Sequence, residues 1–90
     1  MANHSQVKGD LLVKNANQAG WALSCTEAGD FVAVCSNDGR FYGEFSFDGI
    51  HIIASPKSEI GFFDLPLSIV QLIRYWFGTI TFEEYERAIS

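Results

Sequence analysis

An α+β domain follows from three observations in these 90 residues. Short β-prone runs are separated by Gly- and Asp-containing turns, a long apolar segment with helical spacing follows them, and a capping signature opens a second helix. The expected architecture is a four-stranded antiparallel β-meander, five-stranded if residues 60–63 add an edge. An apolar helix covers one face, and a short C-terminal helix comes last.

The strands are expected over residues 21–26, 31–36, 40–47 and 50–55, with connectors at 27–30, 37–39 and 48–49. Asp48-Gly49 between apolar runs is a strong hairpin signal, because a two-residue type I′ turn needs positive φ at both central positions. That turn pairs Phe47 with Ile50, Ser46 with His51 and Phe45 with Ile52. A three-residue loop at Asn37-Asp38-Gly39 pairs Ser36 with Arg40 and Cys35 with Phe41.

Period-two alternation then assigns a core face of Phe31, Ala33, Cys35, Phe41, Gly43, Phe45, Phe47, Ile50, Ile52 and Ala54. Val32, Val34, Ser36, Arg40, Tyr42, Glu44, Ser46, His51 and Ile53 face outward. Trp21, Leu23 and Cys25 fall on the outer face across an ordinary four-residue loop. Either a bulge shifts their parity or Trp21 lies outside. In neither register do Cys25 and Cys35 sit opposite one another, which argues against a disulfide. Gly43, inside a strand, marks a close approach of another element or of a ligand.

Residues 1–10 are polar and patternless and read as a flexible lead-in to a single domain over 11–90. Leu11-Leu12-Val13 reads as a short strand, and residues 15–20, rich in Asn and Gly, as a loop. The apolar helix is expected over 65–77, with Asp64 or Leu65 as cap, Pro66 in the first turn and Gly78 ending it. Ile69, Leu72, Ile73 and Trp76 form its stripe, and Leu67, Val70, Tyr75 and Phe77 widen it beyond one face. Thr81-Phe82-Glu83-Glu84 is a capping box flanked by Ile80 and Tyr85 at the staple positions, and Phe82, Tyr85 and Ile89 share one face of the helix that follows.

Six basic residues against eleven acidic ones give a formal charge of −5 and a pI near 4.7. The cations are scattered, which disfavours direct binding to nucleic acid or to anionic membrane. No signal sequence or membrane-spanning run is visible, and the two cysteines suit reduced thiols, so a cytoplasmic location is expected. Thirteen aromatic residues, eight of them Phe, supply the core that so short a chain needs, since each buried ring removes roughly 150–250 Å² from water.

Catalytic chemistry finds little support. Ser46 opposite His51, with Glu44 nearby, holds the ingredients of a triad, but a flat strand face offers no oxyanion hole. His4 and His51 lack ligand partners at metal spacing, and Asn37-Asp38-Gly39 lacks the later ligands of a calcium loop. No cofactor is expected.

The remaining signal is surplus apolar surface. One helix stripe saturates the core face of the sheet, leaving Leu67, Val70, Tyr75 and Phe77 on the helix and Val34, Tyr42 and Ile53 on the sheet as candidate partner contacts. The alternative is that the loops and the 11–20 segment fold over that surface. The expected function is a non-catalytic protein-binding module: a stoichiometric inhibitor, immunity-type protein or adaptor. A basic protein or a second copy forming a homodimer fits as partner. Two alternatives are a small-molecule sensor with a ligand between sheet and helix near Gly43, and an acidic inhibitor using Glu83, Glu84 and Glu86 to occupy a nucleic-acid-binding surface.

Overall fold

The computed structural model describes residues 4–26 and 30–89. The elements run α1 (His4–Gln18), β1 (Trp21–Cys25), β2 (Phe31–Ser36), β3 (Tyr42–Phe47), β4 (Ile52–Ala54), a 3₁₀ turn (Phe62–Asp64), α2 (Leu67–Trp76) and α3 (Phe82–Ile89). The strands form one antiparallel sheet in the order β1-β2-β3-β4, the expected meander. No strand forms at 60–63, so the sheet keeps four strands.

Two registers differ from the sequence expectation, each for a visible local reason. Between β2 and β3, Ser36 N–H donates to Phe41 O at 2.9 Å, so four residues, Asn37 to Arg40, form the loop. The extra residue is held by side chains. The Ser36 hydroxyl accepts from the N–H groups of Arg40 and Phe41, both at 3.0 Å, and donates to Asp38 Oδ1 at 2.6 Å. Asp38 Oδ1 also accepts from Arg40 N–H at 3.0 Å. Val32 therefore pairs with Phe45 and Val34 with Gly43.

A one-residue slip turns a strand over. Val32 and Val34 are accordingly buried, at 0% and 1% exposure, while Phe31, Ala33 and Cys35 face out. The same slip settles the first strand. Trp21 pairs with Ser36, Leu23 with Val34 and Cys25 with Val32, as an ordinary four-residue connection requires, and that face of β2 is now the core. Neither a bulge nor an outward Trp21 is needed. Residues 27–29 of the connector lie outside the described residues.

The β3–β4 turn is displaced by two residues, which preserves parity. Asp48 N–H donates to His51 O at 3.2 Å, and Asp48 Oδ1 accepts from the N–H groups of Ile50 and His51 at 2.8 and 2.6 Å. The central pair is Gly49-Ile50, with only Gly49 at positive φ (+98°), a type II′ pattern rather than I′. Phe47 consequently pairs with Ile52, Ser46 with Ile53 and Phe45 with Ala54. Ile50 and Phe41, expected on the core face, are exposed, and Phe41 stacks on Trp21 at 6.4 Å between centroids.

The largest correction is α1, where a lead-in, a short strand and a loop are expected; residues 1–3 lie outside the described residues. Its sequence carries Gly9, Asn15 and Asn17, poor helix formers, and an apolar line of little more than Leu12 and Ala16. Tertiary contacts supply what propensity lacks. Leu12 and Ala16 are fully buried, Gly9 lies against the Trp76 ring, Lys8 Nζ sits 4.1 Å from the Tyr75 ring centroid, and Asn15 Nδ2 donates to Tyr85 Oη at 3.0 Å.

The end of α2 and the start of α3 follow the expected capping chemistry, and the start of α2 does not. Pro66 occupies the N-cap position of α2, one residue later than expected. Gly78 (φ +79°) ends the helix, its N–H donating to Tyr75 O while Thr79 N–H donates to Arg74 O. In α3, Thr81 N–H donates to Glu84 Oε1 at 3.0 Å and Glu84 N–H to Thr81 Oγ1 at 3.1 Å, the expected capping box. Of its apolar face only Tyr85 is buried; Phe82 and Ile89 are about half exposed. Helices and 3₁₀ turn close over one face of the sheet, with Phe45 edge-on to Phe62 and Phe47 stacked on Phe77.

Candidate functional site

With α1, α2 and α3 gathered in one layer, the opposite face of the sheet contributes no residue to the hydrophobic core among the described residues. An antiparallel sheet tolerates one solvated face, and that face is the place to look for contacts. The registers place its side chains in rows. Ala22, Cys35 and Tyr42 form one row, Ser24, Ala33 and Glu44 the next, and Phe31, Ser46 and Ile53 the third. Phe31, Ala33, Cys35, Tyr42 and Glu44 are half-buried, and with Ala22 and Ser24 they line a shallow depression of about 390 Å³.

The face is apolar at its margins and acidic near its centre. Tyr42 and Glu44 are two residues apart on one strand and so share the face. Desolvation, together with the charge and hydrogen bonding of Glu44, pushes the Tyr42 phenol above its usual range. Ser58 holds Glu44 by the backbone: its hydroxyl accepts from Glu44 N–H at 2.7 Å and donates to Glu44 O at 2.6 Å. On its β4 side Glu44 is thus fixed by the Ser58 hydroxyl together with the Ser55 N–H, which donates to Glu44 O at 2.8 Å.

A second apolar spot lies where the β3–β4 turn meets the 3₁₀ turn and the end of α2. Ile50 and Phe63, 76% and 84% exposed, flank a recess of about 260 Å³ that also includes His51, Arg74 and Thr79. The His51 imidazole lies 3.7 Å from Asp48 Oδ2, and Asp48 is held below the usual carboxylate range, first by the His51 N–H and then by that of Ile50.

The candidate contacts read from sequence divide sharply. Val34, Val70 and Phe77 are buried within the chain and present no surface. Tyr75 is half-buried against Tyr85, 5.3 Å between stacked rings, and beneath Lys8. Leu67 is 66% exposed, and Tyr42 and Ile53 remain on the open sheet face. Of the apolar excess of α2, Tyr75 is covered by α1 and α3 and Phe77 by Phe47 of β3, Val70 is buried, and Leu67 stays exposed. Phe31 is the contact that the shifted register adds; the Ser36 and Asp38 side chains, able to hold a longer turn, were the signal for it.

Glu83, Glu84 and Glu86 lie on exposed positions of α3. The Glu84 carboxyl is held below its usual range, first by the Thr81 backbone N–H and then by the Thr81 hydroxyl. Ser46 faces Ile53 rather than His51, so the triad ingredients are not brought together. The space over Gly43 is filled from within: a Cβ there would lie 2.7 Å from the Phe45 ring and 3.3 Å from Ile60.

Cys25 lies against the core, and burial pushes its thiol up to about 11, whereas Cys35 lies on the outer face. Among the described residues no group of three His, Cys, Asp or Glu side chains could hold a metal ion, and no helix is long and apolar enough to cross a membrane.

These features define a two-layer α+β domain with an uncovered antiparallel sheet. Compared with protein-family models, with curated proteins and with solved structures, the chain matches none.

Proposed function

We propose that the chain is a non-catalytic protein-binding module that takes its partner on the open face of the sheet. One observation carries the reading: helices cover one face, while the other displays Phe31, Tyr42 and Ile53 around Glu44, all outside the hydrophobic core. Aromatic side chains on a rigid scaffold anchor interfaces at low entropic cost. The carboxylate among them and the net charge of −5 favour a basic partner, as for an inhibitor or adaptor. Free cysteines on opposite faces suit a reducing cytoplasmic setting.

The test compares affinity capture from the native host by the wild-type chain, by Y42A/I53K on the open face and by L67S away from it. A partner identified by mass spectrometry should be retained by wild type and L67S and lost by Y42A/I53K, with circular dichroism unchanged. A partner held equally by all three would remove the open face from consideration. Binding should also weaken with added salt and with E44Q, since the carboxylate contributes steering.

A further inference from the structure

The two edges of the sheet are built differently. On the β4 side the strand has only three residues, Pro56 follows it, and the chain then folds back so that Ser58 and Glu59 occupy hydrogen-bonding groups of Glu44 and Tyr42 on β3. Short length, proline and coverage are the usual ways of blunting an edge. The β1 side has none of these. Its five residues, Trp-Ala-Leu-Ser-Cys, contain no charge, proline or glycine.

The hydrogen bonding of β1 shows which groups are left open. Gly20 O accepts from Asn37 N–H, and Thr26 N–H donates to Phe31 O, so even-numbered residues of this segment bond to β2. By alternation, the N–H and C=O groups of Trp21, Leu23 and Cys25 point away from the sheet. No described residue is bonded to them. α1 packs onto the strand from the core side through Leu12 and Ala16.

We propose that this edge pairs with the same edge of a second copy, antiparallel and centred on Leu23, to give a two-fold dimer with one continuous sheet. In that register Leu23 faces Leu23 of the second copy and Trp21 faces Cys25. Open groups meet open groups, each such pair exchanging both of its bonds. Between them Ala22 faces Ser24 of the second copy, small uncharged side chains at the close, non-hydrogen-bonded spacing, so two chains of net charge −5 bring no like charges together along the seam. Closure favours a copy over an unrelated strand: the two-fold uses up both unprotected edges and leaves the blunted β4 side at each end, so assembly stops at two. The pairing also sets the two open faces side by side, but it does not depend on what those faces bind.

The experiment combines oligomeric state with amide exchange. Light scattering across a concentration series should show a monomer–dimer equilibrium. The amides of Trp21, Leu23 and Cys25 should gain protection from deuterium exchange as the dimer fills. The exposed positions 22 and 24 allow a charge test that spares the core: A22K/S24K and A22E/S24E should each weaken self-association roughly tenfold, while an equimolar mixture should restore it as a heterodimer. A chain that stays monomeric to millimolar concentration overturns the proposal. So does a dimer whose Trp21, Leu23 and Cys25 amides exchange as fast as in the monomer, or one indifferent to both charge variants. A captured partner held equally by wild type, L67S and Y42A/I53K, with dimerisation intact, would count only against the open-face reading.

Discussion

Cys25 and Cys35 are separated by the thickness of the sheet, and that separation makes their chemistry unequal. The Cys25 thiol, raised to about 11 by burial, holds almost no thiolate at neutral pH. Iodoacetamide at pH 8 should modify Cys35 well before Cys25; equal rates by mass spectrometry would contradict the placement of Cys25 against the core. Gly43 is the other residue with a sharp requirement. It leaves room for the Phe45 ring, and a Cβ at 2.7 Å cannot be accommodated without moving that ring. G43A should cost about 1–3 kcal/mol in urea denaturation, as overpacking does, and shortening the ring in G43A/F45L should recover part of it. A strand glycine announces a close approach in sequence, but which atom approaches depends on packing that no local pattern encodes.

The elements respond to pH through their turns. Hydrogen bonds hold Asp38, Asp48 and Glu84 below the usual carboxylate range, Asp38 first by the Ser36 hydroxyl, Asp48 by the His51 N–H and Glu84 by the Thr81 N–H. A carboxyl whose folded pKa lies below its unfolded value adds stability above about pH 4 and loses it as pH falls through the folded value. The melting temperature should therefore drop on acidification below that range. D38N/D48N, which keeps an acceptor oxygen but cannot titrate, should flatten the drop; an unchanged slope would mean the turns do not carry it. T81A should cost about 1 kcal/mol by removing one half of the α3 capping box.

Elements with self-contained signatures were legible in sequence: the capping box at Thr81 and Glu84, the stop at Gly78, and the strand order. The β2–β3 register was not, because Ser36 and Asp38 hold a fourth loop residue through side-chain bonds, and that single residue decides which face of β2 is inside.

At the scale of the molecule, α1 closes the fold. Its sequence resembles a polar lead-in because its helical state depends on the rings of Tyr75, Trp76 and Tyr85, more than fifty residues away, rather than on its own periodicity. The candidate contacts were half legible for the same reason: Ile53 and Leu67 are exposed and Tyr42 lies on the open face, as expected, while Tyr75 is partly covered by a helix that leaves little local trace. L12A should cost roughly 2–4 kcal/mol, the range for a fully buried leucine, where a mobile tail would show no change.

The four-residue loop from Asn37 to Arg40 carries a rule about heredity as well as geometry. Adding or deleting one residue there would exchange the buried valines of β2 for Phe31, Ala33 and Cys35, turning a strand of the core inside out, whereas a change of two would return every side chain to its own face. Descendants of this chain can vary that loop in even steps, and an odd step must be answered by a bulge or by a second odd step nearby.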